Sequence, residues 1–295
     1  MILITGAAGG HGSIGFHLVR LLTQAKRPVR ALVRSEDERA ERLRQLGAEV
    51  VIGDFLRLQT LRPALVGVDR AFFCYPLADG LLQATANLCV AACEAAVKSV
   101  VNVSIMMAGE DHPSPVCRDH FLSERILDWA DVGATHLRGG FFYENLLRFA
   151  ADGVARADRI TLPFGDGDAR LAWVAGTDMA NAAANILTNP APHVGKTYEI
   201  TGDSTSSIRE IAAEMSEALG RKIAYADIPL TDWLQSVQSV IGDNIQLRRH
   251  VSVLASAFGS GRVLGRTTEA LRKLTGAPSL GFRHFVLEHA AAFCP

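Results

Sequence analysis

Eleven residues, Thr5-Gly6-Ala7-Ala8-Gly9-Gly10-His11-Gly12-Ser13-Ile14-Gly15, carry five glycines directly after the apolar run Met1-Ile2-Leu3-Ile4. A glycine-rich turn between a first strand and a first helix lets backbone approach a pyrophosphate, while the helix start supplies N–H donors and positive dipole charge. Three spacings compete here: Gly6-Gly9-Gly12 fits GxxGxxG, Gly10-Gly12-Gly15 fits GxGxxG, and Gly6-Gly9-Gly15 fits once three residues are inserted. The motif alone does not choose between them. The apolar stripe Ile14, Leu18, Leu21 and Leu22 favours the third, because it puts Gly15 one turn before Leu18, where a glycine serves close helix–strand packing. In that register Gly6 turns, Gly9, Gly10, His11, Gly12 and Ser13 form an enlarged phosphate-facing loop, Ser13 caps the helix, and Ile14 opens it.

The end of the second strand decides between nucleotides. An NAD site usually places Asp or Glu there, about 20 residues past the glycines, to take the ribose hydroxyls. This chain has Arg34, in "VRALVRSEDE". A guanidinium matches a 2′-phosphate by bidentate hydrogen bonding, so NADP(H) is expected over NAD(H). Asp54 and Phe55 of "GDF" follow the third strand, where they would meet an adenine edge, although Asp54 also suits the N-cap of the next helix. Tyr75, Pro76 and Leu77 of "CYPLADG" fall at the carboxyl edge of the sheet, the side on which open α/β folds bind ligands.

The elements that position these residues repeat in a regular order. Strand patterns at residues 1–5, 29–33, 49–52, 70–75, 99–104 and 135–138 alternate with helical patterns at 16–24, 36–46, 56–65, 81–97 and 119–130. The expectation is an α/β fold, a Rossmann-type doubly wound parallel sheet with a smaller, interleaved C-terminal α/β domain. Residues 1–140 make the cofactor-binding domain and 141–295 mainly the substrate-binding domain, with a segment at about 170–190 returning to the first sheet. Within the second part, "ITLPFGDGDARLAWV" reads as strand, Gly-Asp turn and strand. A helix follows at 178–187, a short strand at 198–200, and a helix at 207–219 opened by a Ser-Ile-Arg-Glu capping pattern. The "FGSGRVLG" stretch interrupts a mostly helical remainder.

Bulk properties narrow the classes. With 30 basic and 31 acidic residues, the net charge of −1 gives no general attraction to nucleic acid or to anionic membrane. No run approaches the roughly 18 apolar residues of a membrane span, and the glycines interrupt any signal-like start, so a cytoplasmic location is expected. Five cysteines without a CxxC pair (Cys74, Cys89, Cys93, Cys117 and Cys294) argue against a disulfide framework or structural zinc, and for buried free thiols. No metal site is expected. GxSxG, HExxH and Walker patterns are absent, which removes those hydrolase, zinc protease and P-loop readings.

The TGxxG loop, Arg34 and "GDF" are joined by "HLRGGFFYEN", "FGDGDARLAWVAGTDMANAAANIL" and "GKTYEITG". With them the chain resembles the NmrA-like branch of the atypical short-chain dehydrogenases/reductases along nearly its whole length. The resemblance implies an NAD(P)-binding Rossmann domain, a smaller C-terminal domain, and either quinone, azo-dye or triphenylmethane-dye reduction or non-catalytic redox sensing. Two departures stand out: Gly139-Gly140 where a proline is common after the Arg, and a glycine loop about three residues longer than TGATGxxG.

Short-chain reductases use Tyr-xxx-Lys on a helix, and none of the four tyrosines here has Lys four residues on. In the helix where that pair would sit are His120 and Glu124 at i, i+4, resembling the HxxxE of many NmrA-like sequences. His120 would be the proton donor, with Glu124 raising its pKa, and a structural His-Glu pair at a helix start is the competing reading. Ser104 and Met106, after the fifth strand, would lie near the nicotinamide. Phe141, Phe142, Tyr143 and Asn145 would shape the substrate wall, or pack as core between the domains. The expected function is an NAD(P)H-dependent oxidoreductase passing hydride to a quinone-like or other conjugated small-molecule acceptor. The alternative is a non-catalytic NADP(H)-binding redox sensor with a protein partner, and a non-redox tailoring enzyme is a third reading. A homodimer is compatible with either of the first two.

Overall fold

A computed structural model describes residues 1–9, 14–260 and 265–294. The first part alternates strand and helix: β1 (Ile2–Ile4), α1 (Ile14–Gln24), β2 (Val29–Val33), α2 (Glu38–Gln45), β3 (Glu49–Ile52), α3 (Leu58–Leu65), β4 (Arg70–Phe73), α4 (Leu81–Glu94), β5 (Ser99–Ile105), α5 (Pro115–Trp129) and β6 (Ala134–Gly139). Next come β7 (Phe141–Phe142), α6 (Glu144–Phe149), α7 (Ala151–Ala157), β8 (Arg159–Leu162), β9 (Arg170–Val174), α8 (Gly176–Thr188), β10 (Thr197–Ile200), β11 (Thr205–Ser207), α9 (Ile208–Leu219) and β12 (Ala224–Asp227). Helices α10 (Leu230–Ser236), α11 (Gln238–Ile241), α12 (Ile245–Gly259), α13 (Ala270–Thr275), α14 (Phe282–Glu288) and α15 (Ala290–Phe293) complete the chain.

Seven strands form one parallel sheet in the order β3-β2-β1-β4-β5-β6-β10. The order reverses between β1 and β4, which is the switch point where a Rossmann-type fold opens its ligand crevice. The short apolar strands are hydrophobic on both faces because both are covered. Ile2, Ile4, Ala31, Val33 and Phe72 join one core with α1 and α8, while Leu3, Leu32, Ala71 and Phe73 join another with α3, α4 and α5. A third core, built on Trp173, Phe258, Phe282 and Phe285, belongs to the C-terminal elements.

The C-terminal part is interleaved with the first. Helix α8 packs on α1, and β10 adds the seventh strand beside β6, whereas Arg170–Val174 pairs in a small sheet with β7 and β11. The two strands of "ITLPFGDGDARLAWV" do not pair with each other: β8 pairs with β12 and β9 with β11 and β7, so the Gly-Asp turn joins two separate sheets. The capping box at α9 forms as its spacing requires, Ser207 Oγ accepting from the Glu210 N–H and Glu210 accepting from the Ser207 N–H. Among the described residues no helix is long and apolar enough to cross a membrane, and no cluster of His, Cys, Asp or Glu could hold a metal ion. All five cysteines are free; Cys89 and Cys117 are buried, but Cys93 and Cys294 are exposed, against the expectation of buried thiols throughout.

Gly15 lies where α1 crosses the end of β1. A Cβ there would sit 2.7 Å from the Thr5 carbonyl oxygen and 2.7 Å from the Ala7 nitrogen, both backbone atoms that cannot move aside. Gly15→Ala is therefore expected to destabilise the fold by about 1–3 kcal/mol, read as a lower urea midpoint, despite alanine's better helix propensity.

Candidate functional site

The carboxyl ends of β2, β1, β4 and β5 stand side by side, and each places an expected site residue. After β1, Gly6 turns the chain at φ +68°, a left-handed backbone that glycine adopts without strain, and a Cβ there would meet Cys74 at 3.2 Å. The Thr5 hydroxyl accepts from the Cys74 N–H at 2.9 Å, tying the ends of β1 and β4 together at the switch point. Gly9 is exposed and Ile14 is the first residue of α1; Gly10, His11, Gly12 and Ser13 lie outside the described residues.

After β2, Arg34 is exposed and makes no hydrogen bond or ion pair among the described residues. Arg39, which the spacing argument passed over, reaches from α2 to the Ala8 carbonyl at 3.0 Å. After β3, Asp54 is not a helix cap, since α3 begins only at Leu58 with Arg57 at its N-cap; Asp54 instead closes a turn by accepting from the Leu56 N–H at 3.0 Å. Phe55 meets Phe73 edge to face at 5.2 Å and Tyr75 at 6.2 Å, so these rings form a wall across β3 and β4. The Tyr75 hydroxyl donates to the Asp79 carbonyl, Pro76 accepts from the Ala78 N–H, and Leu77 accepts from the Asn244 side chain at 2.6 Å. That last bond pins the N-terminus of α12 over the loop after β4.

After β5, Ser104 is buried and Met106 is half-buried, its N–H donating to the Gly139 carbonyl at 2.9 Å. Glu124 lies fully buried on α5, and its carboxylate takes a two-pronged bond from Arg138 of β6, at 2.9 and 2.6 Å. Burial opposes its ionisation, but the Arg138 fork outweighs it and holds the Glu124 carboxyl below its ordinary value. His120 is also buried, in the second turn of a helix that begins at Pro115 and not at a helix start. Burial pushes its imidazole down to about 4, more than the Glu124 carboxylate raises it. The expected proton donor is thus neutral near pH 7, because burial outweighs the pull of the Glu124 carboxylate. Arg138 stood inside the quoted "HLRGG", yet a pairing across 14 residues between a strand and a helix has no periodicity to announce it.

The expected acceptor wall divides. Tyr143 is buried, stacked on Trp173 at 5.9 Å and against Phe282 and Phe285; Phe141 packs edge to face on Trp173 and Phe258. Both rings serve the C-terminal core, since the neighbouring aromatics already enclose them. Phe142 turns the other way and covers Gly139, where a Cβ would lie 2.7 Å from its ring. Asn145 is half-buried in α6.

The family model described as the NmrA-like family matches residues 1–260. The chain belongs to that family. It is 33% identical to an NAD(P)H azoreductase of Xenophilus azovorans over 99% of both chains. It is 30% identical to a (4-alkanoyl-5-oxo-2,5-dihydrofuran-3-yl)methyl phosphate reductase of Streptomyces griseus over the full length of both. Its fold superposes with a TM-score of 0.81 on the NADPH-dependent quinone oxidoreductase of Escherichia coli complexed with NADPH, at 27% identity, covering 99% of this chain and 100% of that one.

Within this NmrA-like chain the residues present fit a dinucleotide: the left-handed turn at Gly6 and the close packing at Gly15 bring the start of α1 to the switch point, where a helix N-terminus suits a pyrophosphate, and the Arg34 guanidinium, without a hydrogen-bond or ion-pair partner among the described residues, follows the neighbouring strand. Another buried histidine, unforeseen from spacing, is His250 of α12, whose Nδ1 lies 2.8 Å from the Ser114 hydroxyl at the N-terminus of α5. Burial, aided by His112, pushes His250 down to about 4.

Two pH effects then oppose each other. The folded state holds His120 and His250 neutral, so their contribution is complete above about 6.5 and is lost as pH falls toward about 4. Burial raises Glu144 to about 7 and Asp178 to about 6, so these carboxyls cost stability as pH rises through the same range. His250→Asn removes one histidine contribution while keeping a group able to bond Ser114. Thermal melts should show that variant gaining up to about 2 kcal/mol relative to the native chain between pH 7.5 and pH 5. Arg138→Met, which strands the buried Glu124 carboxylate, should cost about 3–5 kcal/mol in urea unfolding at pH 7.5.

Proposed function

We propose that this protein is an NAD(P)H-dependent reductase that passes hydride from the nicotinamide to a quinone-like or other conjugated small-molecule acceptor, with NADP(H) preferred. The observation that carries the reading is what α5 presents where a Tyr-Lys pair would stand: a buried, neutral His120 and a Glu124 locked on Arg138. Neither side chain is poised to give a proton near neutral pH. Reduction of an isolated carbonyl asks for such a donor, because the alkoxide formed is a strong base. A conjugated acceptor delocalises the added charge and takes its proton from solvent, so it suits this site. The names of the azoreductase, the furanyl phosphate reductase and the quinone oxidoreductase agree with that chemistry.

Each residue group then has a task. Gly6, Gly9 and the loop through Ser13 and Ile14 would hold the pyrophosphate, Arg34 a 2′-phosphate, and Asp54, Phe55, Tyr75, Pro76 and Leu77 the adenosine side. Ser104 and Met106 would border the nicotinamide, which supplies the hydride when bound. Phe142 and Asn145 would face the acceptor, with Phe141 and Tyr143 supporting them from the core. In this reading residues 1–140 carry the cofactor and the remainder mainly the acceptor, with α8 and β10 completing the first unit.

Calorimetric titration with NADPH and NADH, followed by NADPH oxidation across a panel of quinones and azo dyes, tests the proposal. Arg34→Ala should weaken NADPH by about tenfold or more and leave NADH unchanged. Cofactor binding with no oxidation by any acceptor would instead favour a redox sensor.

A further inference from the structure

Just beyond Arg34, one carboxylate gathers an unusual set of donors. Asp37 caps α2, its Oδ1 accepting from the backbone N–H of Arg39 at 2.9 Å and of Ala40 at 3.3 Å. Its Oδ2 accepts from the Ser35 hydroxyl at 2.9 Å. The Arg39 guanidinium closes on both oxygens, with Nε 3.2 Å from Oδ1 and 3.1 Å from Oδ2 and Nη2 also on Oδ2. The remaining arm, Nη1, bonds the Ala8 carbonyl, so the group sits against the turn after β1, three residues past Arg34, which has no hydrogen-bond or ion-pair partner among the described residues.

A planar guanidinium binds carboxylate and phosphate through the same fork, and cannot serve both at once. We infer that Asp37 sets the choice between the two nicotinamide cofactors, by holding Arg39 in a fork that an incoming 2′-phosphate must open. The inference rests on the reading that the dinucleotide binds at this edge of the sheet. A 2′-phosphate would draw Arg39 away and leave an ionised carboxylate facing a phosphate, which lowers NADPH affinity. A cofactor with a free 2′-hydroxyl meets no such opposition. Asp37 then keeps Arg39, because its two oxygens are already taken by the donors of Ser35, Arg39 and Ala40. Arg34 favours the phosphate and Asp37 opposes it, and together they set how far the site prefers NADPH over NADH.

Asp37→Asn separates the two roles. Asparagine is a good N-cap and preserves α2, but its amide lacks the second anionic oxygen that closes the fork. The probes are 2′,5′-ADP and 5′-ADP, which carry the distinguishing phosphate without the nicotinamide, together with NADPH and NADH, all followed by calorimetry. We expect Asp37→Asn to bind 2′,5′-ADP and NADPH about tenfold more tightly and 5′-ADP and NADH within about twofold of the native chain, with the gain shrinking as salt is raised. Adding Arg39→Gln should abolish the gain. A folded Asp37→Asn protein whose NADPH-to-NADH ratio stays within about twofold of the native value overturns the inference while leaving the cofactor reading intact. Failure of the native chain to bind any of the four probes overturns both.

Discussion

The architecture of the site hangs on one close approach, where α1 crosses the end of β1 with no side chain between them at Gly15. Because that helix lies directly on the Thr5 and Ala7 backbone, its first residue, Ile14, stands close to the carboxyl end of β1, at the switch point of the sheet. The Thr5–Cys74 bond then ties β1 to β4, and the left-handed turn at Gly6 fits only because nothing projects toward Cys74. The outer strand ends take their places from this centre: Arg34 after β2 on one side, Tyr75 and Ser104 at β4 and β5 on the other, with Phe55 reaching Phe73 and Tyr75 from the loop after β3.

Much of this was legible because the sheet is buried on both faces. Such strands are short, apolar and evenly spaced, so β2 and β3 fall on the residues their patterns mark, and the helix stripe after the glycines correctly assigns Gly15 to packing. The capping box at Ser207 and Glu210 is equally local, and equally readable. Patterns of this kind depend only on neighbours within a few residues.

What was not legible depends on partners far apart in sequence. The spacing of His120 and Glu124 shows that they share a helix face, but not that Arg138 claims both oxygens of the glutamate. Nor does it show that His250, more than a hundred residues later, reaches Ser114 at the start of the same helix. The fate of "ITLPFGDGDARLAWV" is similar: two strands joined by a short turn resemble a hairpin until β12 and β11 arrive to pair with each separately. The place of Tyr143 and Phe141 beside "LRGG" leaves open whether they line the acceptor or pack as core, because their ring partners come from β9, α12 and α14.

The electrostatics of the cleft follow from the same distinction between buried and exposed charge. Inside, the buried Glu124 carboxylate holds the Arg138 fork and stands 3.5 Å from Arg125, and a charge so committed has little left to offer a reacting group, since it would be stranded if its partners turned away. At the rim, Arg34 and the Asp37–Arg39 pair remain in contact with water, where a fork can be opened and closed at small cost. On the proposed reading, fixed charge below the acceptor and exchangeable charge around the nucleotide divide the work. The interior holds the strand ends in register and supplies no proton, which leaves the acceptor to stabilise its own anion, while the surface is free to negotiate which cofactor delivers the hydride.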